Sequence, residues 1–223
     1  MANDTWQIAA ELLARHYGLP DPPGPPGAWT TLVRIALEPA RPPRKPRDWS
    51  WIAESSLGDP HAIVEQGPGR LAEVLEEAEQ PATRARALHA LAGWWLRSFG
   101  DSDALEVLPL RSVEFWQEDL RAIPGVNWEL ADRILLFVGG RSVYPLDQGS
   151  LRIAARHGWM DLESEYDDWQ SFLTSSRRDA APDVAKRSRW LALAARDFCG
   201  TEPKCAECPL KPLLPPRGVV ALE

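Results

Sequence analysis

Three cysteines near the carboxyl end of the chain are the side chains whose type and spacing most directly suggest chemistry. Cys199, Cys205 and Cys208 are the only cysteines in the 223-residue sequence, and a single ten-residue stretch holds all of them. Thiolates are strong ligands for zinc and for iron–sulfur clusters, whereas an odd, clustered set of cysteines is a poor basis for disulfide pairing. The spacing therefore predicts a metal or cluster site.

A short turn between two amphipathic segments is the second candidate. Pro124 cannot continue the helix before it, and Gly125 tolerates backbone conformations that other residues resist. Val126 is placed to pack back between the two helices, and Asn127 is a favourable N-cap for a helix that starts at Trp128. Such a turn presents backbone N–H groups that bind a phosphate without a charged side chain. An ordinary helical hairpin with a Pro-Gly turn is the alternative interpretation.

The elements that must position these residues are predicted to be helical throughout. Long amphipathic or buried helices are indicated by apolar residues at three- and four-residue steps, in segments 4–17, 29–37, 82–99 and 182–198. Shorter helices are predicted at 49–56, 60–66, 69–79, 112–123, 128–138, 148–157 and 164–173. Only 141–144 suggests a strand. The pattern predicts an all-α fold.

The charge of the chain excludes one class of nucleic-acid-binding protein. A net charge of −7 and a pI near 5.2 argue against a protein that coats nucleic acid nonspecifically. A basic face on an acidic body remains compatible with the sequence, and the basic residues group accordingly: Arg41, Arg44, Lys45 and Arg47 in one run, and Arg141, Arg152 and Arg156 in a looser set. The sequence has no apolar run long enough for a membrane helix and no signal-peptide core, so we expect a cytoplasmic protein.

The segment that follows the turn resembles a known protein family. Ile123-Pro-Gly-Val is followed by Gly140-Arg141, then by Asp147 and, five positions later, by Arg152. These strings resemble the helix–hairpin–helix/Gly-Pro-Asp superfamily of DNA glycosylases. The segment 131–147, ADRILLFVGGRSVYPLD, is most similar to the endonuclease III-related branch of this superfamily, which includes 3-methyladenine glycosylases. The resemblance covers about residues 111–208.

This resemblance implies a two-lobed helical fold with a DNA cleft between the lobes. A six-helix lobe with the helix–hairpin–helix would span residues 29–142. The second lobe would combine residues 1–28 and 143–223 and carry the cysteine loop at 199–208. The expected partner is double-stranded DNA with one base flipped out, and the protein is expected to act as a monomer at the nucleoid.

By the same resemblance, Asp147 is the catalytic carboxylate. Cleavage of an N-glycosidic bond builds positive charge on the deoxyribose, and a carboxylate nearby stabilises that charge and positions the attacking water. An aspartate before a helix is also a routine N-cap, which is the alternative. The turn at Pro124 would clamp a phosphate, and Arg152 would contact the DNA backbone or pair with the acidic stretch 161–168.

Three positions depart from the family pattern. Glu129 stands where bifunctional members carry a lysine, which implies a monofunctional glycosylase that releases the base by attack of water. Pro39 stands where a glutamine-bearing wedge fills the gap left by the flipped base. Leu214 stands where the fourth cysteine of a [4Fe–4S] cluster would be. The three remaining cysteines would hold a cluster with an exchangeable iron, a three-iron form or zinc, or they belong to a loop without metal.

The sequence therefore predicts a DNA-repair N-glycosylase, a hydrolase of base excision repair. The rival hypothesis is a catalytically inactive helix–hairpin–helix DNA-binding protein derived from this fold. Asp147 favours the enzyme, whereas Pro39 and Leu214 favour the rival. A purely structural helical protein would leave the spacing of Gly140-Arg141, Asp147 and Arg152 unexplained.

Overall fold

The computed structural model describes residues 2–18, 27–39, 42–45, 47–174 and 180–221, and they form helices joined by loops. The α-helices are α1 (Ala2–Tyr17), α2 (Ala28–Leu37), α3 (Trp51–Glu54), α4 (Pro60–Val74), α5 (Pro81–Phe99), α6 (Ala104–Val107), α7 (Val113–Arg121), α8 (Trp128–Phe137), α9 (Gln148–Arg156), α10 (Tyr166–Thr174) and α11 (Ala181–Asp197). Arg41 of the basic run lies outside the described residues. The predicted all-α fold is confirmed.

The chain divides into two compact units. A central unit comprises Pro22–Pro39 and Pro43–Arg141, and it contains α2 to α8. A terminal unit comprises Met1–Asp21, Ala40–Pro42 and Ser142–Glu223, and it contains α1 and α9 to α11. The turn that follows α7 therefore belongs to the central unit, and Asp147 belongs to the terminal unit.

Large aromatic side chains fill the core of the central unit. Trp94 of α5 lies edge-on to Trp95, to Phe99 and to Trp116 of α7, with ring centroids 5.2–6.4 Å apart. Trp29 of α2 packs on Trp95 and donates its indole N–H to the carbonyl oxygen of Leu57 at 2.9 Å. Edge-to-face pairs add to the free energy of burial, so this cluster fixes α2, α5 and α7 against one another.

The terminal unit joins the first helix of the chain to its last ones. Trp6 of α1 is fully buried and donates its indole N–H to the carbonyl oxygen of Leu173 in α10 at 2.9 Å. The Tyr17 hydroxyl donates to Asp197 Oδ2 at the end of α11, at 3.2 Å. The indole N–H of Trp190 in α11 donates to the carbonyl oxygen of Gly18, just after α1.

The predicted secondary structure is wrong in two places. The strand expected at 141–144 does not form: the Tyr144 N–H donates to Gln170 Oε1 at 2.9 Å and the Arg141 N–H donates to the carbonyl oxygen of Leu135 in α8, so neither group pairs with a strand. The two helices expected at 60–66 and 69–79 both form within α4, where Gly67 leaves the helical conformation (φ 70°) before Pro68 and separates them. The second of them ends at Val74 and not at residue 79.

None of the helices in the described part of the chain is both long and apolar enough to cross a membrane.

Candidate functional site

The turn between α7 and α8 has the conformation that its sequence requires. Gly125 has φ +89°, in the region that favours glycine. Val126 is 7 % exposed, and its N–H donates to the carbonyl oxygen of Ile123 at 3.1 Å. Asn127 caps α8, since its side-chain oxygen accepts the Leu130 N–H at 2.9 Å. Buried Val126 and the Asn127 cap thus hold the turn closed.

The outer edge of this turn is exposed. Pro124, Gly125 and Asn127 all face solvent. Within the described chain, the backbone N–H groups of Gly125 and Asn127 donate to no protein group. Unsatisfied N–H groups at a helix N-terminus attract an anion. The inner side is tight, because a Cβ on Gly125 would lie 3.0 Å from the Cβ of Ala87 in α5.

An exposed aromatic side chain lies beside the turn, and it is not among the site residues that the sequence predicts. Trp128, the first residue of α8, is 40 % exposed, and the Arg121 guanidinium carbon lies 3.4 Å from the centroid of its ring. A cation over an indole face is a favourable arrangement that holds both groups in place. The sequence feature that indicates an exposed Trp128 is its position at a helix start, with no apolar partner one turn before it.

Asp147 is the N-cap of α9, and its two carboxylate oxygens have different partners. Oδ1 accepts the backbone N–H groups of Gly149 and Ser150, at 2.8 and 2.9 Å. Oδ2 accepts the Ser150 hydroxyl at 2.5 Å. The side chain is only partly exposed. The carboxylate is therefore held in one orientation at the N-terminus of a helix, where the helix dipole favours negative charge.

Gly149 allows α9 to approach α11 closely. A Cβ on Gly149 would lie 2.5 Å from the Cβ of Ala195 and 2.8 Å from Asp147 Oδ1. No side chain fits this space without moving α11 or the carboxylate. The identity of this residue therefore helps to fix where Asp147 lies.

Arg152 and Arg156 hold the cysteine tail. The Arg152 Nε donates to the carbonyl oxygen of Cys199 at 2.6 Å. Arg156 donates to the carbonyl oxygens of Gly200 and Thr201, at 2.6 and 3.2 Å, and lies 3.4 Å from the Cys199 sulfur. For Arg152, the sequence analysis expected DNA phosphates or the acidic stretch 161–168 as partners, and the structure gives its Nε a backbone partner 47 residues away.

The cysteines themselves do not fit a four-thiolate cluster. Among the residues that the structure describes, no three or more Cys, His, Asp or Glu side chains are grouped so that they would hold a metal ion. Burial raises the pKa of the Cys208 thiol, and this opposes the thiolate form that binds metal. Leu214 occupies the fourth place.

The residues next to Pro39, where the resemblance places a wedge, form a charged cluster. Glu38 is the C-cap of α2 and forms ion pairs with Arg34 and with Arg133 of α8. Arg34 is 4 % exposed, and its Nε is buried without a hydrogen-bond partner. Arg84 donates to the carbonyl oxygens at the end of α2. This arrangement fixes the end of the helix, and it contains no amide side chain that matches the family's wedge.

Solved structures of DNA glycosylases share the fold of this chain. A non-covalent endonuclease III–DNA complex matches at 13 % identity over 95 % of this chain and 94 % of that chain, with a TM-score of 0.70. A trapped endonuclease III–DNA covalent intermediate matches at 14 % identity over the same shares, with a TM-score of 0.69. A thermostable thymine-DNA glycosylase matches at 13 % identity over 95 % of both chains, with a TM-score of 0.65.

No protein-family model and no curated protein sequence matches the chain. The likeness therefore lies in the three-dimensional structure rather than in overall sequence, and at these identities it concerns the fold alone. It extends over nearly the whole of each chain. The chain has the fold of the helix–hairpin–helix DNA glycosylases, the fold of endonuclease III.

Proposed function

We propose that the protein is a DNA glycosylase that excises a damaged or mispaired base from duplex DNA. The observation that carries the proposal is the Asp147 carboxylate, which is held at the start of α9 in a chain with the endonuclease III fold. The exposed turn at Gly125 adds a place for a DNA phosphate. Base excision needs a duplex-binding surface and a carboxylate, and this chain has a candidate for each.

In the proposed reaction, DNA is gripped through its backbone and one nucleotide leaves the stack. The N–H groups of Gly125 and Asn127 bind a phosphate, and the flipped nucleotide approaches Asp147. The bond between C1′ and the base nitrogen breaks, and its electron pair leaves with the base. The Asp147 carboxylate stabilises the positive charge left on the sugar, and a water oxygen then bonds to C1′ and loses one proton. That proton compensates the electron pair that left with the base. The products are a free base and an abasic site.

We propose a hydrolytic mechanism without a covalent protein–DNA intermediate. Glu129 stands where the resemblance places the lysine of bifunctional enzymes, and a carboxylate forms no Schiff base. Borohydride added during turnover is therefore expected to trap no adduct. A trapped adduct would contradict the hydrolytic mechanism, and mass spectrometry would identify which of the lysines, Lys186 first among them, had reacted.

A metal at Cys199, Cys205 and Cys208 stays a prediction. Iron and zinc analysis of protein purified without oxygen tests it directly. Stoichiometric iron with broad visible absorption would identify a cluster. Metal-free protein with native stability would identify a loop that Arg152, Arg156 and the backbone hydrogen bonds of the tail hold without metal.

The substitution Asp147→Asn tests the proposed function. Asparagine is as good an N-cap as aspartate, so its oxygen still accepts the N–H groups of Gly149 and Ser150 while the negative charge is lost. The variant should bind duplex DNA like the wild type and release base at least about a hundredfold more slowly. Release is followed with duplexes that carry alkylated, oxidised, deaminated or mismatched bases, by alkaline cleavage of the abasic product.

The matched control is Asp59→Asn. Asp59 caps α4 through the His61 N–H at 2.9 Å, so the same change is made at a helix start in the central unit. Its rate should equal that of the wild type. If Asp147→Asn is as active as the control, Asp147 has no catalytic role. If the wild type releases no base from any of these duplexes, the proposed function is wrong.

A DNA-binding protein without catalysis is the second candidate. The observation that favours it is the ion-paired cluster at Glu38, which stands beside Pro39 in place of the amide wedge. Such a protein would bind duplex DNA through the turn and leave every base in place. Duplex binding by the wild type, together with no release from the same set of duplexes, would establish this alternative.

A further inference from the structure

Two buried hydroxyl groups continue the hydrogen bonds of Asp147 into the core of the terminal unit. The Ser150 Oγ lies 2.5 Å from Asp147 Oδ2, and the Tyr144 hydroxyl lies 3.0 Å from the Ser150 Oγ. Tyr144 and Ser150 are both fully buried. The three side chains thus form a row that runs from the partly exposed carboxylate to the fully buried ring of Tyr144.

The number of protons on these groups determines which hydroxyl donates and which accepts. A serine hydroxyl has one proton, and an ionised carboxylate only accepts, so the Ser150 proton lies on the bond to Asp147 Oδ2. Tyr144 is then the donor to the Ser150 Oγ. Burial, with the Asp147 carboxylate nearby, raises the pKa of the Tyr144 phenol well above its ordinary value, so this donor keeps its proton at neutral pH. Successive bonds in one direction polarise each other.

Capping of α9 does not require this row. Both N–H groups of the cap bond to Oδ1, so the bond from Ser150 to Oδ2 satisfies no further backbone group of the helix. Asp59 and Asp103 cap their helices through one N–H bond each, from His61 and from Leu105, and each of these bonds also falls on Oδ1. The hydrogen bond from the Ser150 hydroxyl to Asp147 Oδ2 therefore has a role other than helix capping.

The row determines which side of the carboxylate remains available. A carboxylate has about four acceptor directions, two on each oxygen. The two N–H groups occupy both directions of Oδ1, and the Ser150 hydroxyl occupies one direction of Oδ2. A single direction on Oδ2 is left for a sugar or a water, and it is the Ser150 hydroxyl that selects it.

We propose that Ser150, oriented by the Tyr144 hydroxyl, is a positioning residue that aims Asp147 Oδ2 at the deoxyribose of the target nucleotide. This inference rests on the proposed function. Ser150 acts through Asp147 and does not touch the DNA. The expected consequence of its loss is a carboxylate that is still present and still caps α9, and that stabilises a cation on the sugar less well.

Two abasic duplexes test this proposal without knowledge of the excised base. One carries a pyrrolidine ring in place of the deoxyribose, which is cationic at neutral pH, and the other carries an uncharged tetrahydrofuran ring. The ratio of their dissociation constants measures how well the protein stabilises positive charge at the sugar. A variant that is merely less well folded binds both duplexes less tightly and leaves the ratio unchanged.

The wild type should prefer the cationic duplex by at least about tenfold, and Asp147→Asn should abolish that preference. Ser150→Ala should reduce the preference about fivefold and Tyr144→Phe about twofold, in keeping with the strength of single hydrogen bonds. The double variant should equal Ser150→Ala, because Tyr144 acts only through Ser150. Ser188→Ala is the matched control, since this buried serine of α11 donates to the carbonyl oxygen of Ala185.

The outcomes separate the two proposals. If Asp147→Asn abolishes the preference and Ser150→Ala leaves it intact, the positioning role is wrong and the proposed function stands. If the wild type has no preference that depends on Asp147, both are wrong. Should Ser150→Ala fail to fold, Tyr144→Phe decides, because it keeps the packing of the ring and removes only the hydroxyl; an unchanged preference in that variant overturns the proposal.

Discussion

Gly149 shows how a single residue of this protein constrains the candidate site. Its position on α9 faces Ala195 of α11 so closely that a Cβ would come within 2.5 Å of the alanine Cβ. The same atom would come within 2.8 Å of Asp147 Oδ1. The absence of a side chain at residue 149 therefore serves both helix packing and the placement of the carboxylate.

At this scale we predict that Gly149→Ala destabilises the protein by about 1–3 kcal/mol, the usual cost of an overpacked core. Gly69→Ala is the control: Gly69 lies in α4 with nothing within 4 Å of an added Cβ. That substitution should stabilise by about 0.4–1 kcal/mol, because it lowers the entropy of the unfolded chain. Urea unfolding measures both free energies. Equal stabilities of the two variants would contradict the close approach of α9 to α11.

The roles of single residues were the hardest part to predict from sequence. Asp147, the Asn127 cap and the packing of Val126 follow from local patterns, because their partners are a few residues away. Arg152 bonds to the backbone of Cys199, 47 residues later, and no local pattern indicates such a partner. The bond from Tyr144 to Ser150 was missed for a different reason: six residues separate them, but whether their hydroxyls meet depends on the irregular backbone at 141–147.

The helix–turn–helix formed by α7 and α8 is the element for which sequence and structure agree most fully. Its glycine has positive φ, its valine is buried and its asparagine caps the second helix. The break between the helices predicted at 60–66 and 69–79 is also found in the structure. Gly67 has φ 70° and leaves the helical conformation before Pro68, so the two helical segments of α4 run separately on either side of it.

For this element we predict that Gly125→Val weakens the binding of duplex DNA about tenfold or more, whatever the DNA sequence. A β-branched side chain opposes a φ of +89°, and its Cβ would press on Ala87, so the N–H groups of the turn would be misdirected. Dissociation constants for several unrelated duplexes measure the effect.

The control for this prediction is Gly140→Val. Gly140 also has positive φ (+59°), but nothing lies within 4 Å of an added Cβ. This variant carries a similar backbone strain outside the turn and should bind DNA like the wild type. If both variants bind equally well, the turn is only structural and the phosphate-binding role is wrong.

Considered as a whole, the molecule carries an excess of negative charge that a DNA-binding protein must overcome locally. Its net charge is −7, and the described basic residues of the loop before α3, Arg44, Lys45 and Arg47, are all exposed. Arg152 and Arg156 are engaged with the tail. Of the two basic groups that the sequence singles out, the loop before α3 is therefore the one whose exposed cations can meet DNA, and backbone N–H groups become more important.

We therefore predict that the affinity for DNA depends only weakly on salt. Each neutralised phosphate contributes about 0.9 to the slope of log affinity against log salt concentration. Replacement of Arg44 and Lys45 by alanine should flatten the slope by about 2 if both contact phosphates. The control replaces Arg15 and Arg217, two exposed arginines of the terminal unit, and should leave the slope unchanged. Equal slopes in the wild type and the Arg44/Lys45 variant would exclude this loop from the interface.

The hydrogen bonds that link α1 to α10 and α11 also determine the order in which the protein can fold during synthesis. Trp6 bonds to Leu173, and Gly18 to Trp190, across 167 and 172 residues. Helices α2 to α8 make up the central unit, and all of them are translated before these partners of α1. Helix α1 therefore cannot bury Trp6 in its native position until α10 and α11 have been synthesised. The surroundings of Asp147 are completed at that last stage, because Ala195 of α11 packs against Gly149, whose N–H the carboxylate accepts.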